Sequence, residues 1–295
     1  MRILGLIGSA RKLGNSEILV KEALSSIQEK FPEVKLELIR LTDLNIQNCT
    51  GCMYCAFSKK ICRLEDDFNY LLNKLKHAQG LVLGAPTYIL TPSSIIKAII
   101  DRYLNVAPHI ESWNSEERMG VSINVAGLPE WNPFGSSLLN IFLFAFQYRL
   151  VGSMVAYAPG PGEVLLDKSN IQQACNLGSI LIDSLLNPDL AKNVIKHTDN
   201  NMCPICFSPV FKIAKDGKVE CPVCGLRGDL TSNANNEYII KFSQILDGFR
   251  WSKQAQIKHY EEWIFASKDT FKSKYPQIKN LNQKYVQMDK LWDKR

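Results

Sequence analysis

The chain has 295 residues, 46% of them hydrophobic and 22% charged, with nine cysteines and a formal net charge of +6. This balance excludes a disordered or fibrous chain and leaves ample length for a buried core. No apolar run reaches about 18 residues, so no membrane span is expected. The positive excess belongs to the tail: residues 1–249 carry 24 basic and 24 acidic side chains, and residues 250–295 carry 11 and 5. That speaks against a nucleic-acid-binding body.

Residues 2–8, R-I-L-G-L-I-G, form a short apolar run bounded by glycine and read as a buried parallel strand, not a secretory leader. The polar loop 9–16 follows, then a helical pattern through Ile18, Leu19, Ala23, Leu24 and Ile27. A strand, a small loop and a helix N-terminus make an anion site, because free backbone N–H groups and the helix dipole favour a phosphate. Ser9, Asn15 and Ser16 add polar groups there and Arg11 a fixed charge. The plainer alternative is a helix capped by Asn15 or Ser16 after a turn. The loop is neither G-x-G-x-x-G nor a Walker sequence.

Residues 34–40 alternate as an edge strand. The next loop, 48–63, holds Cys49, Cys52, Cys55 and Cys62 in a C-x2-C-x2-C-x6-C array. Three thiols two residues apart and a fourth after a short loop suit the corners of an iron–sulfur cubane. A zinc site and reduced or disulfide-forming thiols are the alternatives. Asp66 and Asp67 then open a helix through Phe68, Leu71, Leu72 and Leu75. Residues 80–86 read as a buried strand, followed by a helix with Thr91 as cap and Pro92 at its first position. Strands are expected over 119–125 and 151–157, with helices over 134–148 and from about 171. Five strands alternating with helices predict an α/β fold with a doubly wound parallel sheet. The loops 9–16, 49–62, 86–89 and 124–128 all follow strands, so they converge on one rim, where such sheets bind ligands.

A polar connection over 187–201 precedes Cys203-Pro-Ile-Cys206 and Cys221-Pro-Val-Cys224, with an Asp216-Gly217 turn between two short strand patterns. Two C-x2-C knuckles predict a four-thiolate metal site resembling a zinc ribbon or rubredoxin-like module over 200–230, with Zn2+ favoured over iron. Phe207 stands where a rubredoxin usually has glycine. Residues 240–295 read as a helical extension, broken at Tyr275-Pro276, whose aromatic residues pack on the protein or on another copy. Cys175 reads as a buried thiol. His77, His109, His197 and His259 are scattered, and no protein acid or base is required.

In combination, G-S-x-R-x-x-G-N-S from Gly8, C-x-G-C-x-x-C with a following cysteine and D-D, and G-x-P-x-Y from Gly84 resemble the iron–sulfur flavoproteins of the NADPH-dependent FMN reductase group, over about residues 1–190. The resemblance implies a flavodoxin-like fold binding FMN. Its phosphate would lie on Ser9, Arg11, Asn15 and Ser16, and its ring against Pro86, Thr87, Tyr88 and Ile89, with Gly127 in the third loop. It also implies a [4Fe–4S] cluster on Cys49, Cys52, Cys55 and Cys62, and a homo-oligomer. The expectation is an oxidoreductase taking electrons from NAD(P)H or a reduced carrier such as ferredoxin and passing them to a small-molecule acceptor. The alternatives are a flavodoxin-like carrier or redox-responsive binding protein docked through the zinc ribbon, and a cluster-free quinone or flavin reductase. Trp113, Trp131 and the C-terminal helices are candidates for the substrate pocket. Many cysteines without a leader suggest a reducing cytoplasm.

Overall fold

The computed structural model describes residues 1–113, 118–189, 202–232, 235, 237–242, 249–286 and 288. Five strands, β1 (Arg2–Ile7), β2 (Lys35–Arg40), β3 (Gly80–Tyr88), β5 (Met119–Ala126) and β6 (Arg149–Tyr157), pair in parallel in the order β2-β1-β3-β5-β6. The edge position expected for the second strand is observed. A two-residue strand, β4 (Thr91–Pro92), folds back on β3. Near-continuous apolar strands need cover on both faces. On one face Ile3, Ile7, Val82, Val121 and Ile123 pack with α1 (Asn15–Lys30) and α6 (Lys168–Leu186). On the other, Leu4, Leu6, Leu81 and Leu83 pack with α3 (Phe68–His77), α4 (Ser94–Asp101) and α5 (Gly135–Ala145). α1 and α6 approach at Gly178, where a Cβ would lie 2.1 Å from the Ala23 carbonyl oxygen.

The helix after β3 begins later than its sequence signals suggest. Thr91 and Pro92 pair with Tyr88 and Thr87, and Ser93 precedes the helix instead. A proline at a strand end needs no ladder donor, so it mimics a helix start in sequence. α1 starts at Asn15 with Gly14 as its N-terminal neighbour, so neither Asn15 nor Ser16 is the cap.

Beyond α6 a second, antiparallel sheet runs β10-β9-β8-β7, from β7 (Lys212–Ile213), β8 (Val219–Glu220), β9 (Arg227–Ser232) and β10 (Tyr238–Phe242). Gly217, with φ +80°, makes the expected β7–β8 turn. The sheet extends past the predicted 200–230 module: β9 is polar, and the apolar run of β10, Y-I-I-K-F, lies where a helical extension was expected. Residues 190–201 of the predicted connection, His197 with them, lie outside the described residues. The chain ends in α7 (Lys253–His259), a wider-wound turn over Tyr260–Phe265, and α8 (Ser267–Val286). Pro276 does not break α8. The carbonyl it cannot bond, that of Lys272, lies on an exposed helix, where an unpaired carbonyl costs little. No helix among the described residues is long and apolar enough to cross a membrane.

Candidate functional site

The chain reverses its direction of strand addition between β1 and β3, and a cleft opens at the C-terminal ends of the strands there. Its walls are Ser9, Arg11, Gly14, Asn15 and Ser16 after β1, and Pro86, Thr87 and Tyr88 at the end of β3. Val125, Ala126 and Gly127 after β5, and Ala158 and Pro159 after β6, complete it, enclosing about 410 Å³ of space open to solvent. Eight of the nine residues expected at a flavin thus line one cleft; the exception, Ile89, stands 80% exposed outside it.

The first intrahelical bond of α1 runs from Ile18 N–H to the Gly14 carbonyl at 3.0 Å, so the N–H groups ahead of it are available at the helix end. Asn15 plays a different part from the one expected. Its Nδ2 donates to the Ala158 and Gly160 carbonyls at 3.0 and 2.8 Å, tying the helix to the loop after β6. Its side chain therefore shapes the wall of the cleft.

Sequence reading missed Glu17 and Arg40. Glu17 is buried in the first turn of α1 and accepts from the Leu13 N–H at 2.7 Å, from Arg40 at 2.8 Å and from Lys21 at 2.7 Å. Burial opposes its charge, but these donors outweigh it and hold the carboxyl down to about 2. Arg40 also donates to the Ser9 and Arg11 carbonyls at 3.3 and 3.0 Å. One buried ion pair thus fixes the loop around the helix N-terminus. A basic residue at a strand end and an acidic one in a first turn are each too common to be a signal.

On the opposite wall, Thr87 Oγ1 donates to Asn132 Oδ1 at 2.7 Å and accepts from Asn124 Nδ2 at 2.8 Å. Behind Thr87, the turn Ile89-Leu90 takes φ of 46° and 72°, left-handed at both residues. At Gly127 a Cβ would meet no atom nearer than Pro159 Cβ at 3.9 Å. Glycine there keeps open a space that the protein does not fill, which suits a flat ligand lying against the loop. Trp131 stands 58% exposed, whereas Trp113 is buried against Phe146 in the core and does not line this cleft. Among the described residues, no histidine lines the cleft.

The four-cysteine loop leaves the same rim after β2. Asp67 Oδ2 accepts from Asn45 N–H at 2.7 Å, and Asp66 Oδ2 from Gln47 N–H at 2.8 Å, closing its base. Asp66 also pairs with the fully buried Arg102, whose guanidinium lies 4.0 Å above the Phe68 ring. Inside the loop, Gly51 and Met53 take left-handed φ of 67° and 58°, and α2 (Tyr54–Ser58) carries Cys55. Burial pushes the Cys55 thiol up, and so do the neighbouring Cys62, Cys49 and Cys52; the four sulfurs share one electrostatic neighbourhood. The Tyr54 N–H and the Thr50 hydroxyl hold Cys52 down. Among the described residues these sulfurs do not form a group within 4.8 Å of one another, as ligands of one ion would.

Cys203, Cys206, Cys221 and Cys224 do form such a group, all fully buried, with sulfur pairs at 3.4 Å (Cys203–Cys224) and 3.3 Å (Cys206–Cys221). Phe207 takes φ +53° where Gly225 takes +84°, so the two knuckles turn alike despite the missing glycine. The module does not stand apart. Its cysteines join the core beneath α5, and Asn140 Nδ2 donates to the Cys206 carbonyl at 2.7 Å. Cys175 is half-buried rather than buried, its sulfur 3.9 Å from Glu22 Oε2.

The strand order and the rim cleft define a flavodoxin-like α/β protein. Residues 1–123 match the family described as NADPH-dependent FMN reductase. Its curated relatives include several named iron–sulfur flavoproteins. That of Methanocaldococcus jannaschii is 38% identical over 102 residues, 35% of this chain and 51% of the relative, so the chain spans about half of that relative's length. A protein of Aspergillus candidus named flavone synthase is 25% identical over 263 residues, 77% of each chain. A solved structure titled flavone reductase superposes with a TM-score of 0.71 at 19% identity, over 98% of this chain and 97% of that one. The whole architecture, C-terminal sheet and helices included, is therefore a fold seen elsewhere.

Proposed function

We propose that this protein is an FMN-dependent oxidoreductase that passes electrons from NAD(P)H or a reduced carrier to a small acceptor. The observation that carries this reading is the cleft: a helix N-terminus with Ser9, Arg11 and Ser16 at one end, and a space opposite Pro86–Tyr88 that Gly127 leaves free. The helix end and Arg11 would hold the FMN phosphate. Thr87, fixed by Asn124 and Asn132, and the Val125–Gly127 backbone would hold the ring. The flavin, when bound, supplies the one- and two-electron chemistry. The protein orients it and excludes water.

Cys49, Cys52, Cys55 and Cys62 would hold a [4Fe–4S] cluster on the same rim, a one-electron relay beside the flavin. Cys203, Cys206, Cys221 and Cys224 would hold Zn2+ as a closed, buried structural site. Exposed apolar side chains on the loops after β3 and β5, among them Tyr88, Ile89, Leu128 and Trp131, support a homo-oligomer that covers part of this rim. Unpaired thiols support a cytoplasmic setting.

A second reading concerns the acceptor. The match to a protein named flavone synthase runs well past the family's 123 residues, and the exposed Tyr88 and Trp131 flank the cleft. A planar aromatic acceptor would stack there. Steady-state assays with NADH, NADPH or reduced ferredoxin against quinones and flavones test both readings. Turnover with any pair supports an enzyme, and preference for flavones supports the second reading. No turnover with any pair would leave a carrier.

A further inference from the structure

We propose that residues 260–268 form a clasp that holds the Cys55-bearing helix α2 in its ligating shape, with Tyr260 as the positioning residue. The inference rests on the cluster reading above. Helix α2 has five residues and is bounded by left-handed Met53 (φ 58°) and Lys59 (φ 56°), so it cannot lengthen at either end. A helix this short has no stability of its own, and its last carbonyls lack partners within it.

Both partners come from the far end of the chain. Tyr260, 3% exposed, donates its hydroxyl to the Ala56 carbonyl at 2.7 Å, across 204 positions. Lys268 Nζ donates to the Phe57 carbonyl at 3.1 Å. Ala56, the residue after Cys55, is fully buried in a small cluster with Tyr260 and Ala107. From the loop side, the Lys59 ammonium lies 4.7 Å above the Phe265 ring and 5.8 Å above Tyr260.

The segment is anchored upstream as well. Arg250 N–H and Trp251 Nε1 each donate at 2.8 Å to the Cys224 and Val223 carbonyls, and Gln256 accepts from the Tyr103 hydroxyl at 2.7 Å. The wider winding over Tyr260–Phe265 displaces the side chains that follow from their α-helical positions. The buried four-cysteine module thus fixes the strap, and the strap fixes the loop.

Two substitutions in the full-length protein test this: Tyr260→Phe, which keeps the ring and removes the hydroxyl, and Lys268→Met. In protein stripped of iron but retaining flavin, iodoacetamide labelling of Cys55 is followed by peptide mass spectrometry. In anaerobically purified protein, the cluster's midpoint potential and its bleaching rate in air are measured. Losing one such hydrogen bond should speed Cys55 labelling and bleaching about 2- to 10-fold and move the potential, with flavin content unchanged. Wild-type labelling rates and potential in both variants would overturn the clasp. A wild-type protein lacking iron and sulfide would instead defeat the cluster reading, and the labelling would still decide whether Tyr260 holds the loop.

Discussion

Gly127 and Glu17 carry opposite burdens in the cleft. A side chain at 127 would project into space that the protein leaves empty. Gly127→Val should therefore weaken FMN binding at least about tenfold, about 1.4 kcal/mol, with the circular dichroism spectrum unchanged; flavin fluorescence titration measures it. Glu17 works through charge. Its carboxyl is held down to about 2, below its ordinary value, so its stabilising contribution is complete above the ordinary carboxylate pKa and fades as pH falls toward 2. The urea midpoints of wild type and Glu17→Gln should differ at pH 7, and the difference should shrink below pH 4.5 and vanish only as pH falls through about 2. A constant difference would contradict the ion-pair account. Ser9, Arg11 and Ser16 were legible because a strand, a polar loop and a helix start are local grammar. Glu17 was not, because its partner Arg40 lies at the end of β2, in a different element.

The β3–β4 hairpin shows the limit of local signals for elements. A two-residue turn left-handed at both positions ordinarily calls for Asn-Gly, and here it is Ile89-Leu90. Nothing in that pair announces a hairpin, and Thr91-Pro92 reads as a helix start. Ile89 is exposed and β-branched, so its conformation is strained without burial in return. Ile89→Asn should raise stability by about 1 kcal/mol in denaturant unfolding, since asparagine tolerates this region. No gain would mean that the apolar side chain makes up for its strain. The major strands and helices were readable because their apolar periodicity is long and regular. The polar strand β9 had no such mark, the five apolar-rich residues of β10 are too few to separate a strand from a helix, and Pro276 misled because helix breaking matters less on an exposed helix.

At the scale of the molecule, the second four-cysteine centre belongs to the main core. Its sulfurs sit with Leu139 and Phe142 beneath the sheet, Asn140 reaches its backbone, and Trp251 stacks on Phe144 with ring centroids 6.2 Å apart. Removing its metal with a strong chelator should therefore lower the melting temperature of the whole protein in a single transition. Loss of only the C-terminal strands, with the parallel sheet melting as before, would contradict this integration. The cysteine spacing made the centre visible in sequence. Its docking was not visible, because an asparagine on α5 carries no sign of the partner it will meet. In the proposed function a flavin and an iron–sulfur centre share one rim of the sheet. Anaerobic purification followed by flavin, iron, acid-labile sulfide and zinc analysis tests it most directly. The account predicts one FMN, about four irons and four sulfides, and one zinc per chain. A chain without flavin would contradict the reading of the cleft, and flavin with no sulfide would remove the cluster.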